Sequence, residues 1–267
     1  MNTVIFDLDD TLLHDDRTIS DFTVDVFQKM KQAGFMFIAA SGRAQLSMKP
    51  YVDQLSCVSA YIACNGAEIW DASHKLLYQE FIDADTSREI ALFAEYHGCY
   101  AHVYDGDSFF FNKYSDYSVQ YAASTKLTGV YAGKLSEYIH EPRNKIILID
   151  QESKISSLYK QAARLFKGKA SVTCSKPIYL EFNPVNASKG NALLFLSAKL
   201  GFQCENVIAF GDSLNDISML QKAGRAVTVA NGWKDVRRFC HDVCKSNNED
   251  GPANYLLQHF FPEEVKK

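Results

Sequence analysis

The sequence predicts an α/β fold, a doubly wound parallel sheet with an α+β module inserted into it. Three observations carry this. Short apolar runs alternate with helix-like segments in the first and last thirds of the chain, as in a parallel sheet covered on both faces. The middle third pairs apolar runs across a turn, as in an antiparallel sheet. The unusual polar residues follow directly on the apolar runs, where open parallel sheets bind their ligands.

Residues 2–6 form the first buried strand. Residues 20–32 are an amphipathic helix, with Ser20 as N-cap and Gly34 just past its end. Buried strands over 35–40 and 60–64 run into Ser41-Gly42-Arg43 and Asn65-Gly66. Late in the chain, a helix over 188–200 ends at Gly201, a strand over 206–210 runs into Gly211-Asp212, a helix starts over 216–222, and a strand covers 226–229. The middle begins with a helix over 86–97. Strands over 99–104 and 108–114 follow, separated by the hairpin turn Asp105-Gly106-Asp107. A helical stretch near 117–126, a strand over 144–149, a helix over 153–166 and strands over 170–174 and 178–182 complete it. Residues 1–82 and 184–267 are thus assigned to the α/β core, and 83–183 to the inserted module. No internal repeat is visible.

Composition narrows the function. The chain has 267 residues, 47% of them apolar, enough for a sizeable core. A net charge of −4 supplies no basic field for nucleic acid. The longest apolar runs fall far short of the roughly 20 residues of a membrane span. The N-terminus runs into a strand and an acidic cluster rather than a basic, apolar leader. A cytoplasmic protein without a membrane partner is expected. Its seven cysteines contain no C-x-x-C pair and are expected to be reduced, mostly buried thiols. Cys240, His241 and Cys244 are the one tempting cluster. Cys240 and Cys244 would share a helix face, but no second ligand pair accompanies them, and zinc is not assigned.

The first strand ends in Asp7-Leu8-Asp9-Asp10. Positions 7 and 9 point the same way in extended backbone. Two carboxylates held together repel, and one takes up a proton unless a cation is present. A hard cation resolves the conflict, and Mg²⁺ needs only one or two carboxylates beside phosphate and water. An acidic helix start with Asp10 or Thr11 as N-cap explains one aspartate, not three. An EF-hand loop fails, because Leu12 stands where glycine is required and Thr18 where glutamate belongs. The second acidic site is Asp212 with Asn215 and Asp216, on the same expected sheet edge, so a shared ion accounts for both. Ser41 and Gly42 offer a hydroxyl and backbone N–H groups as an anion seat. Lys189, at a helix N-terminus where it opposes the macrodipole, calls for an anionic partner.

Together, Asp7-Leu8-Asp9-Asp10-Thr11-Leu12, Ser41-Gly42-Arg43, Lys189 and Gly211-Asp212-Ser213-Leu214-Asn215-Asp216 resemble the four motifs of the haloacid dehalogenase superfamily, in order. The segment YLEFNPVNASKGNAL resembles the junction of its Cof-type branch, subclass IIB. That branch carries a large α/β cap between the second and third motifs of a Rossmann-like core. The resemblance covers essentially the whole chain. Asp10 stands where glycine is commoner.

The resemblance implies an Mg²⁺-dependent phosphatase. Asp7 would be the nucleophile that forms an aspartyl-phosphate. Asp9 would be the general acid and then base, and would offer its backbone carbonyl to the metal. Asp7 and Asp212 would bind Mg²⁺ directly, with Asp216 in support. Ser41, Gly42, Lys189 and Asn215 would hold the phosphoryl group. The inserted module would act as a lid that selects the substrate, with Tyr179 and Glu181 as candidates to face it. Most of its aromatics, among them Phe109, Phe110, Phe111, Tyr114, Tyr117 and Tyr121, are expected in its core. The expected partner is a small phosphorylated metabolite, a sugar phosphate first, and the expected state a monomer or weak homo-oligomer. A phosphomutase similar to phosphomannomutase is the alternative within enzymes. A non-catalytic phosphometabolite sensor is disfavoured because every motif position is filled. A receiver domain is disfavoured because such domains are shorter and lack the insertion.

Overall fold

Short runs of three to six residues, most of them apolar, build the first sheet. A computed structural model describes residues 2–106 and 108–265, so Asp107 of the expected hairpin turn lies outside them. The chain opens with β1 (Thr3–Phe6), α1 (Asp21–Gln32), β2 (Met36–Ala40), α2 (Gln45–Leu55) and β3 (Val58–Ala63), then adds β4 (Glu68–Asp71) and β5 (Leu76–Gln79). The middle contributes α3 (Ala84–Tyr96), β6 (Tyr100–Asp105), β7 (Ser108–Phe111), α4 (Asp116–Thr125), β8 (Thr128–Tyr131), α5 (Leu135–Tyr138), β9 (Ile146–Ile149), α6 (Glu152–Leu165), β10 (Ser171–Thr173) and β11 (Tyr179–Asn183). The last part supplies α7 (Lys189–Leu200), β12 (Val207–Gly211), α8 (Ile217–Leu220), β13 (Arg225–Val229), α9 (Lys234–Arg237), β14 (Asp242–Cys244) and α10 (Gly251–Phe260).

The first sheet has the order β14-β13-β12-β1-β2-β3-β4-β5. The strands from β14 to β3 are parallel; β4 and β5 are antiparallel. Alternation along β1 shows both faces covered. Val4 and Phe6 pack with Phe27 and Met30 of α1 and Leu256 of α10. Ile5 packs on the opposite face with Leu193 and Leu196 of α7 and Met219 of α8. Burying a side chain such as Phe27 contributes about 2 kcal/mol. The chain leaves β1 towards β2 and returns beside it as β12, so the strand order reverses between β1 and β12. That is where an open α/β sheet binds its ligand.

The second sheet, β10-β11-β9-β6-β7-β8, is antiparallel except for the pair β7 and β8. Its strands lie between Tyr100 and Asn183. One face packs Ala101, Val103, Ile146 and Leu148 against α3 and α6. The other carries Tyr100, Phe109, Phe111 and Ile147 with Tyr121 of α4, and meets Cys64, Ala67 and Ala187. That aromatic face is turned towards the first sheet. Of the expected core aromatics, Phe109, Phe111 and Tyr121 are buried, whereas Tyr114 is 76% exposed.

Several elements differ from expectation for local reasons. The strand expected over 108–114 stops at Phe111, because the Asn112 side chain takes over the ladder, accepting from Ala101 N and donating to Cys99 O, each at 2.9 Å. The helix expected over 216–222 is a 3₁₀ turn, Leu214–Asp216, followed by the four residues of α8. No helix starts at Asp10 or Thr11, since Asp10 has φ +60°. Cys240 and Cys244 do not share a helix face: Cys244 lies in β14, and all seven cysteines are free. Among the described residues, no helix is long and apolar enough to cross a membrane.

His102 on β6 is fully buried, with both ring nitrogens unpartnered among the described residues. Tyr121 and Phe109 pack on its ring, at 4.1 and 5.2 Å between centroids. Burial drives its pKa well below 6.5, and the Lys145 charge adds to this. The folded protein therefore keeps a neutral imidazole while the unfolded chain takes up a proton below about pH 6.5. Stability is lost as pH falls through that value, at about 1.4 kcal/mol per pH unit from this group. Urea unfolding of the wild type and His102→Phe between pH 5 and 8 should show this extra slope only in the wild type; parallel curves would refute it.

Candidate active site

The carboxyl ends of β1 and β12 bring acidic residues 205 positions apart into contact range. Oxygens of Asp7, Asp212 and Asp216, all buried, lie within 4.8 Å of one another. Lys189 Nζ donates to Asp7 Oδ1 and to Asp216 Oδ1, each at 2.5 Å, and is itself fully buried. The helix start that delivers it is capped by Ser188, whose Oγ accepts from Asn191 N at 3.1 Å. Asp216 reaches back with Oδ2 to accept from the N–H groups of Asp212 and Ser213, at 2.9 and 3.0 Å. Gly211 permits this, since a Cβ there would sit 2.5 Å from the Asp216 Cβ. Asp212 accepts from the Thr11 hydroxyl at 2.9 Å.

Three carboxylates thus face one ammonium, and two formal negative charges remain unmatched. The titration of the group reflects it. Burial pushes the Asp7 carboxyl up to about 8, with Lys189 pulling down and Asp216 and Asp9 pushing further. Burial, with Asp216 and Asp7 beside it, also raises Asp212. Hard oxygen donors with surplus negative charge match a divalent cation such as Mg²⁺.

Asp9 stands apart from this cluster. Its carboxylate is held in a bidentate pair by Arg43, Nε to Oδ2 at 2.7 Å and Nη2 to Oδ1 at 2.8 Å. Arg17 adds a bond to Oδ1 at 2.9 Å and one to Asp10 at 3.0 Å. Burial acts to raise the Asp9 pKa, but Arg43, Lys176 and Arg17 hold it down at about 2. In this arrangement Asp9 is ionised. Asp10 serves the turn, with its carbonyl accepting from Asn231 at 2.7 Å.

Ser41 and Gly42 follow β2 at the same edge, and the Ser41 hydroxyl accepts from Arg43 N at 3.2 Å. Beneath them runs a buried polar network. Lys145 Nζ donates to the Gly42 carbonyl at 2.7 Å and pairs with Glu181 at 3.1 Å. Glu181 also accepts from Asn65 at 2.7 Å and from Ser175 at 2.6 Å. Asn215 donates to Asn65 Oδ1 at 2.9 Å. Asn65 can reach all of these because Cys64, Asn65 and Gly66 all take positive φ, a sharp corner after β3. Gly66 is required there: a Cβ would lie 2.5 Å from the Ser188 carbonyl.

These groups surround a cavity of about 50 Å³, lined by Asp7, Asp9, Ser41, Gly42 and Asn215 and roofed by Tyr121, Ser175 and Tyr179 of the second unit. Lys189 lies behind the wall, held by its two carboxylates. Sequence reasoning singled out Glu181, but not Lys145, Arg17 or the role of Arg43 as the partner of Asp9. Lys145 left one sign, a charged residue opening a fully buried strand; Arg17 left none.

A family model of the haloacid dehalogenase-like hydrolases matches residues 4–256. Two 5-amino-6-(5-phospho-D-ribitylamino)uracil phosphatases of Bacillus subtilis are similar along nearly their whole length. YcsE is 27% identical over 255 residues, 95% of this chain and 93% of its own. YitU is 28% identical over 273 residues, 96% of this chain and 97% of its own. A solved haloacid dehalogenase subclass IIB sugar phosphatase shares the fold, with a TM-score of 0.86 at 18% identity, covering 97% of this chain and 99% of that one.

Removing the cation while leaving the carboxylates strands uncompensated buried charge. Lys189→Met should lose about 3–5 kcal/mol of stability in chelator at pH 8. Urea unfolding reads this, and a loss below about 1 kcal/mol, the range of an exposed pair, would contradict the geometry.

Proposed function

The chain belongs to the haloacid dehalogenase-like hydrolases and is a phosphatase, and from that premise we propose that it hydrolyses small phosphorylated metabolites, sugar and polyol phosphates foremost, through an aspartyl-phosphate. The observation that carries this is the meeting of Asp7, Asp212 and Asp216 around Lys189 at the wall of a cavity that Asp9 also lines. The two similar phosphatases, whose named substrate bears its phosphate on a ribityl chain, support the polyol class.

In this proposal Asp7, Asp212 and the Asp9 carbonyl would hold Mg²⁺, with Asp216 behind them. When bound, the ion supplies charge neutralisation to the phosphoryl oxygens. The protein's own groups do the rest. An Asp7 carboxylate oxygen attacks phosphorus. The bond from phosphorus to the leaving oxygen breaks, and that oxygen takes a proton from Asp9. Asp9, now a carboxylate, accepts a proton from a water whose oxygen attacks phosphorus. The bond to Asp7 breaks, phosphate leaves and Asp7 is restored. The Ser41 hydroxyl, the Gly42 N–H and the Lys189 and Asn215 side chains hold the phosphoryl oxygens. Asp9 is ionised between its guanidiniums, so before the first transfer it must take up a proton from solvent as at least one guanidinium is displaced.

Residues 83–183 act as the cap. The cavity has room for about three waters, so a phosphoester enters only when the roof lifts. Free cysteines, four of them buried, accord with a cytoplasmic setting.

Phosphate release from hexose 6-phosphates should require Mg²⁺, stop in chelator, and fall by at least about a thousandfold in Asp7→Asn. Acid quenching should trap phosphate on the wild-type protein and none on that variant. Undiminished release by Asp7→Asn, or sugar isomers formed with almost no free phosphate, would refute this function.

A further inference from the structure

A second cavity, of about 440 Å³, lies between the two units, bounded by β10 and Asn183 of the second and by Ser188 and α8 of the first. It adjoins the catalytic cavity at Asn215, which lines both. Its size falls in the usual range for ligand sites, about 300–1,000 Å³. None of the groups that would carry out hydrolysis needs this space, so its chemistry is a separate matter.

The polar groups around it are donors in want of an acceptor. Asn183 is 1% exposed, and its Nδ2 has no partner among the described residues. The amide cannot be turned over, because its oxygen accepts from Asn65 Nδ2 at 3.2 Å, and Asn65 is itself fixed by Glu181 and Asn215. The Ser188 Oγ accepts from Asn191 N at 3.1 Å and the Ser218 Oγ from Gly190 N at 3.0 Å. Each hydroxyl keeps its own proton to give.

Charge and shape narrow the ligand further. Arg238 is the one cationic side chain of the lining, and no carboxylate lines it. A single guanidinium matches a carboxylate in a two-bonded pair, whereas a phosphoester dianion would keep a charge unmatched. An ammonium would find no counter-charge. Val172, Leu214 and Ile217 offer apolar surface.

We propose that this cleft is an effector site for a small carboxylate anion with an apolar body and no ammonium group. The carboxylate pairs with Arg238, and a further oxygen accepts from Asn183 and the two serines. A ligand that touches both units favours the lowered roof and so slows turnover. That effect rests on the cap movement proposed above; binding does not.

The test uses the full chain with Mg²⁺, with 4-methyl-2-oxopentanoate as the probe and leucine, its amino counterpart, as comparator. Arg238→Gln removes the charge at an exposed position. Asn183→Asp keeps the oxygen that accepts from Asn65 and replaces the free donor with a charged acceptor. Calorimetric titration should show the oxo acid bound by the wild type, leucine bound at least about tenfold more weakly, the Kd raised at least about tenfold in Arg238→Gln, and no binding to Asn183→Asp. At about twice the wild-type Kd, the oxo acid should lower kcat for glucose 6-phosphate by about half in the wild type and by less than about a fifth in Arg238→Gln. No binding to the wild type, or binding that Arg238→Gln leaves unchanged, would overturn the site. Binding located by the variants with kcat unaltered would overturn its action on the roof. Absence of phosphate release without the acid would sink the hydrolysis instead, and the titration would still decide the cleft.

Discussion

The ammonium of Lys189 between Asp7 and Asp216 is the interaction on which the rest depends. It ties the end of β1 to the end of β12 and pins the start of α7 at the point where the strand order reverses. A buried charge costs several kcal/mol unless it is paired, so the three residues hold one another in register. Two glycines make room. Gly66 lets the β3 corner pass the Ser188 carbonyl, and Gly211 lets Asp216 fold back on its own strand. The lysine does not finish the neutralisation, however. Surplus negative charge remains among the carboxylates, and that surplus turns a structural ion pair into a candidate cation site.

Above this centre the two units meet through an apolar cluster, in which Tyr100, Phe109 and Phe111 join Cys64, Ala67 and Ala187, and through polar side chains beside it. Asn65 and the Gly42 carbonyl of the first unit meet Glu181 and Lys145 of the second. Arg43 binds Asp9, Ser47 and the Ser124 carbonyl of α4, at 2.8 Å to Ser47 and 3.2 Å to Ser124. Polar contacts of this kind exchange with water at little net cost, which suits the proposed lifting of the roof. Arg43 thus connects the position of α4 to Asp9. In this arrangement Asp9 is ionised, and the Ser124 carbonyl is one anchor of the guanidinium that keeps it so.

Much of this was legible in the sequence, and for identifiable reasons. Strands such as Val4–Phe6 and 207–210 are continuous apolar runs because parallel strands are buried on both faces, and each ends in a polar residue that has work at the sheet edge. Asp7, Ser41, Asn65 and Asp212 each follow a strand, which pointed to one edge because open parallel sheets place every carboxyl end there. What was not legible lacked a periodic signal. All four residues of β8 are exposed, β14 is three residues long, and α2 carries Pro50 in its interior. Arg17 reaches Asp9 from a turn with φ +66°, and no pattern of residue types announces that. Lys189 was readable as a lysine in want of an anion, but not as one enclosed by two carboxylates of the protein itself.

Manganese is the most direct probe of the central claim, because it takes oxygen ligands as Mg²⁺ does and scatters anomalously. Crystals grown with Mn²⁺ should show a single anomalous peak in this region, within coordination distance of both Asp7 and Asp212. An empty site at saturating metal, or a peak bound elsewhere while Lys189 alone fills the space between the carboxylates, would contradict the account.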